Sequence, residues 1–116
     1  MKGLLTIFFT LMFFNINSQV DFIQGGGTLD DWANLAKYRS ANSEIVNNPI
    51  DNLVIFMGNS ITENWSKYRP NFFQNNSFLN RGISGQTTPQ MLIRFKPDVV
   101  NLKPNSVVIL AGINDI

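Results

Sequence analysis

The sequence predicts an α/β fold built on a parallel sheet, and three observations predict it. Two short, unbroken apolar runs, 53–57 and 107–111, have the composition of strands buried on both faces. Stretches with helical signals alternate with the strands along the chain. A polar or glycine-containing segment follows each strand, at the sheet edge where open parallel sheets bind ligands.

The first residues read as a secretory signal. Lys2 gives a positive start, 4–14 is an apolar run dominated by Leu, Ile, Phe and Met, and 15–18 is a polar end closing on the small Ser18. A membrane span needs roughly 20 apolar residues, so this run is too short for one. Cleavage after Ser18 is expected. Removing Lys2 leaves eight basic and eight acidic residues. The balance gives no electrostatic pull toward nucleic acid or an acidic membrane surface. Export to the periplasm or the cell exterior follows from the signal.

Residues 19–52 read as an N-terminal extension. Gly25, Gly26 and Gly27 read as a flexible joint. A helix is predicted over 30–40, capped by Thr28 or Asp30, with Lys37 and Arg39 at its negative end. Trp32, Leu35 and Ala36 share one face of it, read as packing surface. Asn47, Asn48 and Pro49 mark a loop.

From 53 onward the pattern is strand, turn, helix. The strand 53–57 ends in Gly58, and a helix is predicted over 61–68, closed by Pro70. Phe78 and Leu79 begin a second, weaker strand. Thr88 is predicted to cap a helix with Pro89 at its first position, apolar through Met91, Leu92 and Phe95 and interrupted by Pro97. Pro104 and Asn105 form a turn before the third strand, 107–111.

Composition narrows the chemistry. Of the 116 residues, 44% are hydrophobic and 15% charged, which is globular rather than disordered. There is no cysteine, so disulfides, thiolate metal sites and a cysteine nucleophile are excluded within this sequence. There is no histidine either, the commonest general base.

Three segments fall at strand ends: Gly58-Asn59-Ser60, Gly82 to Gly85, and Gly112 to Asp115. Ser60 opens a helix after a buried strand, where a nucleophile has its own N–H to offer a developing oxyanion. Ser60 with Glu63 also fits a capping box, which makes Ser60 a helix cap. Gly85 can present a bare N–H to a ligand or simply make a turn. Asn114 can donate its carboxamide to an oxyanion, a role whose loss costs about 3 kcal/mol, or serve as a turn residue. No segment decides alone; their convergence on one sheet edge is the signal.

Together the three segments resemble the SGNH (GDSL-like) serine hydrolases. Gly58-Asn59-Ser60-Ile61-Thr62 resembles the first conserved block, Gly82 to Thr88 the second, and Gly112-Ile113-Asn114-Asp115 the Gly-x-Asn-Asp of the third. The part with Trp32 and Tyr38 resembles what precedes the first block in bacterial carbohydrate-esterase-like members. The resemblance implies a three-layer α/β/α, flavodoxin-like fold, with three of about five strands present here. It implies Ser60 as nucleophile, with the Ser60 N–H, the Gly85 N–H and the Asn114 side chain as oxyanion hole. It implies hydrolysis of esters or thioesters through an acyl-enzyme, without metal or cofactor; export favours a small external ester or acetylated carbohydrate as the substrate.

Two departures matter. Position 59 is Asn where the family more often has Asp. The family's Asp-x-x-His block, which supplies the acid and base, has no counterpart in 53–116. The sequence is therefore expected to be the N-terminal part of the hydrolase domain, inactive alone, with an apolar sheet edge uncovered. The alternatives are a non-catalytic carbohydrate-binding or pseudo-enzyme lobe, a structural domain with coincidental turns, and a nucleotide-binding domain. The last lacks its glycine-rich or Gly-Lys-Ser/Thr signature.

Overall fold

The computed structural model describes residues 25–116; the expected signal segment lies outside them. Three parallel strands form one sheet: β1 (Val54–Gly58), β2 (Phe78–Gly82) and β3 (Ser106–Leu110), in the order β2-β1-β3. α1 (Arg39–Asn47), α2 (Ser60–Tyr68) and α3 (Thr88–Asp98) connect and cover them, with short 3-10 turns at Phe72–Gln74 and Val100–Leu102. The predicted α/β class and parallel sheet are thus observed.

The central strand β1 is the buried one, as its run of apolar residues requires. Ile55, Phe56 and Met57 are all buried. On one side, Leu53, Ile55 and Met57 join Ile45 of α1, Met91 of α3, Val99 and Leu102 in a single core. On the other, Phe56 meets Trp65, Phe72, Phe73 and Phe78 edge-on, with centroids 5.4–5.5 Å apart. Such aromatic pairs add about 0.5–1.5 kcal/mol each beyond area burial. Trp65 belongs to this aromatic cluster, and its ring stacks on Phe72 at 5.0 Å. Tyr68, by contrast, is exposed.

β3 is an edge strand among the described residues, and its apolar side chains are open to solvent: Val108 is 45%, Ile109 57% and Leu110 46% exposed. The uncovered apolar edge expected from the sequence is present.

Four local expectations are corrected. No helix spans 30–40: residues 32–33 and 35–38 are turns, and α1 starts at Arg39. The Asp31 carboxylate accepts from the N–H groups of Leu35 (2.7 Å) and Ala36 (2.8 Å), and Asn34 adopts a left-handed φ of 55°. Both features oppose helix propagation. The expected face is absent too, since Trp32 is 45% exposed while Ala33 is buried. The glycines are not a loose joint. Gly25 and Gly27 are buried, and a Cβ on Gly27 would lie 2.2 Å from the Trp32 carbonyl oxygen. The cap of α3 is Thr87, which forms a capping box with Gln90, rather than Thr88. Finally, α3 continues through Pro97 to Asp98.

Candidate active site

The strand ends are in register. Gly58 of β1 pairs with Gly82 of β2 on one side and with Leu110 of β3 on the other. The three segments singled out in the sequence therefore leave the sheet at one level on one edge.

Ser60 is the first residue of α2, directly after the buried Asn59. The capping reading of Ser60 is overturned. Asn59 is the cap: its Oδ1 accepts from the Ile61 N–H at 3.0 Å. Its Nδ2 is buried without a partner among the described residues. Glu63 does not complete a capping box either. It reaches across to β2's exit loop, accepting from the Ser84 N–H (2.6 Å) and hydroxyl, and it pairs with Lys37. Ser60 is left with its hydroxyl at the sheet edge, partly exposed, at the end of the helix where N–H groups lack intrahelical carbonyls.

The second segment is a tight turn. The Gln86 N–H donates to the Ile83 carbonyl at 3.3 Å, and Gly85, third of the four residues, has φ +76°. A type II turn demands a left-handed φ at that position, which glycine adopts without strain. The Ile83 N–H donates to the Gly58 carbonyl at 3.0 Å, fixing this turn to the residue two before Ser60.

The third segment docks onto the second. Asn114 lies in a turn closed by the Asp115 N–H on the Gly112 carbonyl (3.2 Å), with Gly112 at φ +105°. Asn114 Nδ2 donates to the carbonyl of Gln86 at 3.0 Å, one residue from Gly85. Asp115 Oδ1 accepts from the Thr88 N–H at 2.7 Å, tying the same turn to the start of α3.

Beneath this edge lies a buried polar network that sequence reasoning missed. Arg94 and Asp98 of α3 form an ion pair at 2.9 Å with side chains 0% and 1% exposed. Arg94 also donates to the Gly58 carbonyl (3.1 Å) and to Gln86 Oε1. Burial lowers the Arg94 pKa and Asp98 opposes the shift. Asn42 Nδ2 donates to Asp98 at 2.6 Å, and Arg81 Nε donates to Asn42 Oδ1 at 3.0 Å. Arg81 in turn covers the ring of Tyr38, whose hydroxyl donates to the Gly82 carbonyl. The only sequence signal was the four-residue spacing of Arg94 and Asp98, which usually marks a solvated pair.

An open, mainly apolar groove runs beside Ser60, lined by Ile61, Asn64, Trp65, Tyr68, Arg69 and Leu110. Among the described residues, no helix is long and apolar enough to cross a membrane.

The GDSL-like Lipase/Acylhydrolase family model matches residues 56–116, more than half of the chain and all three segments of this edge. The chain belongs to the GDSL-like lipase/acylhydrolase family. Two crystal structures are similar to it. One is of a protein assigned as an acylhydrolase from Bacteroides fragilis, 50% identical, with a TM-score of 0.68 over 73% of this chain. The other is of a GDSL-like lipase from Bacteroides thetaiotaomicron, 48% identical, with a TM-score of 0.67 over 72%. The chain spans 41% of the length of each. No curated protein matches it.

Proposed function

We propose that the whole protein is an exported serine ester hydrolase working through an acyl-enzyme. Ser60 is its nucleophile, and the N–H groups of Ser60 and Gly85 with the Asn114 carboxamide form the oxyanion hole. The observation that carries this reading is the Asn114–Gln86 hydrogen bond. It sets the carboxamide beside Gly85, on the edge where β1 delivers Ser60.

The Ser60 oxygen attacks the ester carbonyl carbon, and the carbonyl electrons move onto oxygen, where the donors stabilise them. Collapse expels the alcohol, which takes the proton removed from Ser60. Water then attacks the acyl-enzyme, releasing the acid and restoring the hydroxyl. A general base must carry these protons. Histidine is the commonest such base and the 116 residues contain none; on this reading the base belongs to the whole protein, and these residues alone are close to inactive. The signal-like segment 1–18 supports export and a substrate outside the cytosol, a small acyl ester or an acetylated carbohydrate.

The test is Ser60→Ala in the full-length protein with p-nitrophenyl acetate as substrate. Activity is expected to fall at least about 10³-fold. Unchanged turnover sinks the assignment. A full-length protein without turnover that still binds acetylated sugar supports a non-catalytic lobe instead.

A further inference from the structure

Arg94 is fully buried, yet its guanidinium reaches three separate parts of the chain. Nη1 donates to Asp98, one turn further along α3, at 2.9 Å. Nη2 donates to the carbonyl of Gly58, two residues before Ser60, at 3.1 Å. Nε donates to the side-chain oxygen of Gln86, which directly follows Gly85. The backbone carbonyl of that same Gln86 accepts from Asn114.

A buried cation is tolerated only when paired and hydrogen-bonded. Asp98 meets the pairing requirement and is itself held by Asn42. Asp98 takes one N–H of the five that a guanidinium carries, and the other acceptors come from the two loops above it. The remaining arms go to the carbonyl that leads into the Ser60 turn and to the loop that presents Gly85. Gln86 is held from behind as well, its Nε2 donating to the Ala33 carbonyl at 2.7 Å. The guanidinium is planar and its donors keep a fixed fork geometry, so bonds to both loops set the spacing between them. Lysine carries the charge but not the fork.

Resting on the hydrolase reading above, we propose that Arg94 is a positioning residue of this site. Through the Gly58 carbonyl and the Gln86 side chain it fixes the distance between the Ser60 oxygen and the oxyanion donors. It touches no substrate. Its effect falls on the transition state, where geometry matters most, and so on kcat rather than KM.

The experiment compares Arg94→Lys, Gln86→Leu, Gln86→Glu and Ser60→Ala in the full-length protein, with p-nitrophenyl acetate as probe. Gln86→Leu cuts the link to Nε while leaving the ion pair with Asp98 intact; Gln86→Glu keeps an acceptor for Nε, and since both variants lose the bond to the Ala33 carbonyl, the difference between them reads the Arg94 link. Arg94→Lys and Gln86→Leu are each expected to lower kcat by about 10- to 100-fold with KM within about twofold. Gln86→Glu is expected to recover most of kcat, and the Arg94→Lys/Gln86→Leu double variant to be no slower than the worse single one. Unchanged kcat in Gln86→Leu, or no recovery in Gln86→Glu, overturns the proposal. If Arg94→Lys does not fold, the Gln86 pair decides; if neither Gln86 variant folds, the network acts on stability alone and the positioning role is overturned. Ser60→Ala separates the two levels. Activity that survives it sinks the hydrolase reading itself, whereas activity lost there but kept in Gln86→Leu sinks only the role of Arg94.

Discussion

The Glu63 carboxylate accepts from both the backbone N–H and the hydroxyl of Ser84, twenty-one residues away, and so α2 grips the loop that presents Gly85. Burial alone would raise the Glu63 pKa. The Lys37 ammonium and the two Ser84 donors outweigh it, and the net value lies below the usual 4.5. A carboxylate depressed on folding stabilises the protein above its unfolded pKa, and that contribution is lost as pH falls through the folded value. Denaturant unfolding of the full-length protein is therefore expected to weaken below about pH 4.5 in a way that Glu63→Gln flattens. Identical acid profiles for parent and variant would show that Glu63 carries no such linkage.

Tyr38 gives the alkaline counterpart. Burial, helped by the nearby Glu63 charge and opposed by Arg81 and Arg94, pushes its pKa up from 10.0 to about 12. The unfolded chain loses this proton near 10 and the folded chain near 12. The stabilisation from a neutral, hydrogen-bonded phenol is thus complete below pH 10 and declines between 10 and 12. Tyr38→Phe removes the bond to the Gly82 carbonyl. It should lower stability at pH 7 by about 1 kcal/mol and abolish the phenolate absorbance step near pH 12.

How much of this was legible in the sequence depends on the range of the forces involved. The apolar run at 53–57 identified β1 because a strand covered on both faces takes little but apolar residues, and the similar run at 107–111 identified β3 by the same composition, although its side chains are open to solvent among the described residues. The strand-end segments were readable for the same reason: once the strands were placed, the topology set their common edge. The start of α1 was not readable, because Asp31 turns its carboxylate onto Leu35 and Ala36 and diverts a pattern that is amphipathic on paper. The cap of α3 was in the sequence as Thr87 with Gln90 three residues on, hidden by the more obvious Thr88-Pro89 pair. Arg94 was out of reach. Its partners Gly58 and Gln86 lie 36 and 8 residues away, and neither residue type announces a buried cation.

Gly82 tests the contact between β2 and α2. A Cβ there would lie 2.2 Å from the Glu63 backbone nitrogen and 2.6 Å from its Cα. Both are main-chain atoms, so no side chain can rotate aside. Gly82→Ala must push α2 off the sheet, and overpacking of this kind costs about 1–3 kcal/mol. A lowered melting temperature is expected, with esterase activity reduced because α2 carries Ser60. A variant as stable as the parent would mean that the helix stands further from β2 than this geometry allows.

On the proposed reading, the neighbouring pair Asn59 and Ser60 divides stability from chemistry. Asn59 is fully buried, and its Oδ1 satisfies the Ile61 N–H. Ser60 begins the helix but does not cap it. Asn59→Ala removes a cap, for a loss of about 0.5–2 kcal/mol, and it removes a buried amide whose Nδ2 has no partner among the described residues, which offsets part of that loss. Ser60→Ala deletes a partly exposed hydroxyl and should change stability by no more than about 0.5 kcal/mol. The two substitutions are therefore expected to separate in the full-length protein. Asn59→Ala lowers the melting temperature and retains measurable turnover, whereas Ser60→Ala melts with the parent and loses turnover. If Ser60→Ala instead melts several degrees lower, Ser60 shares in capping α2, and its loss of activity no longer isolates the nucleophile.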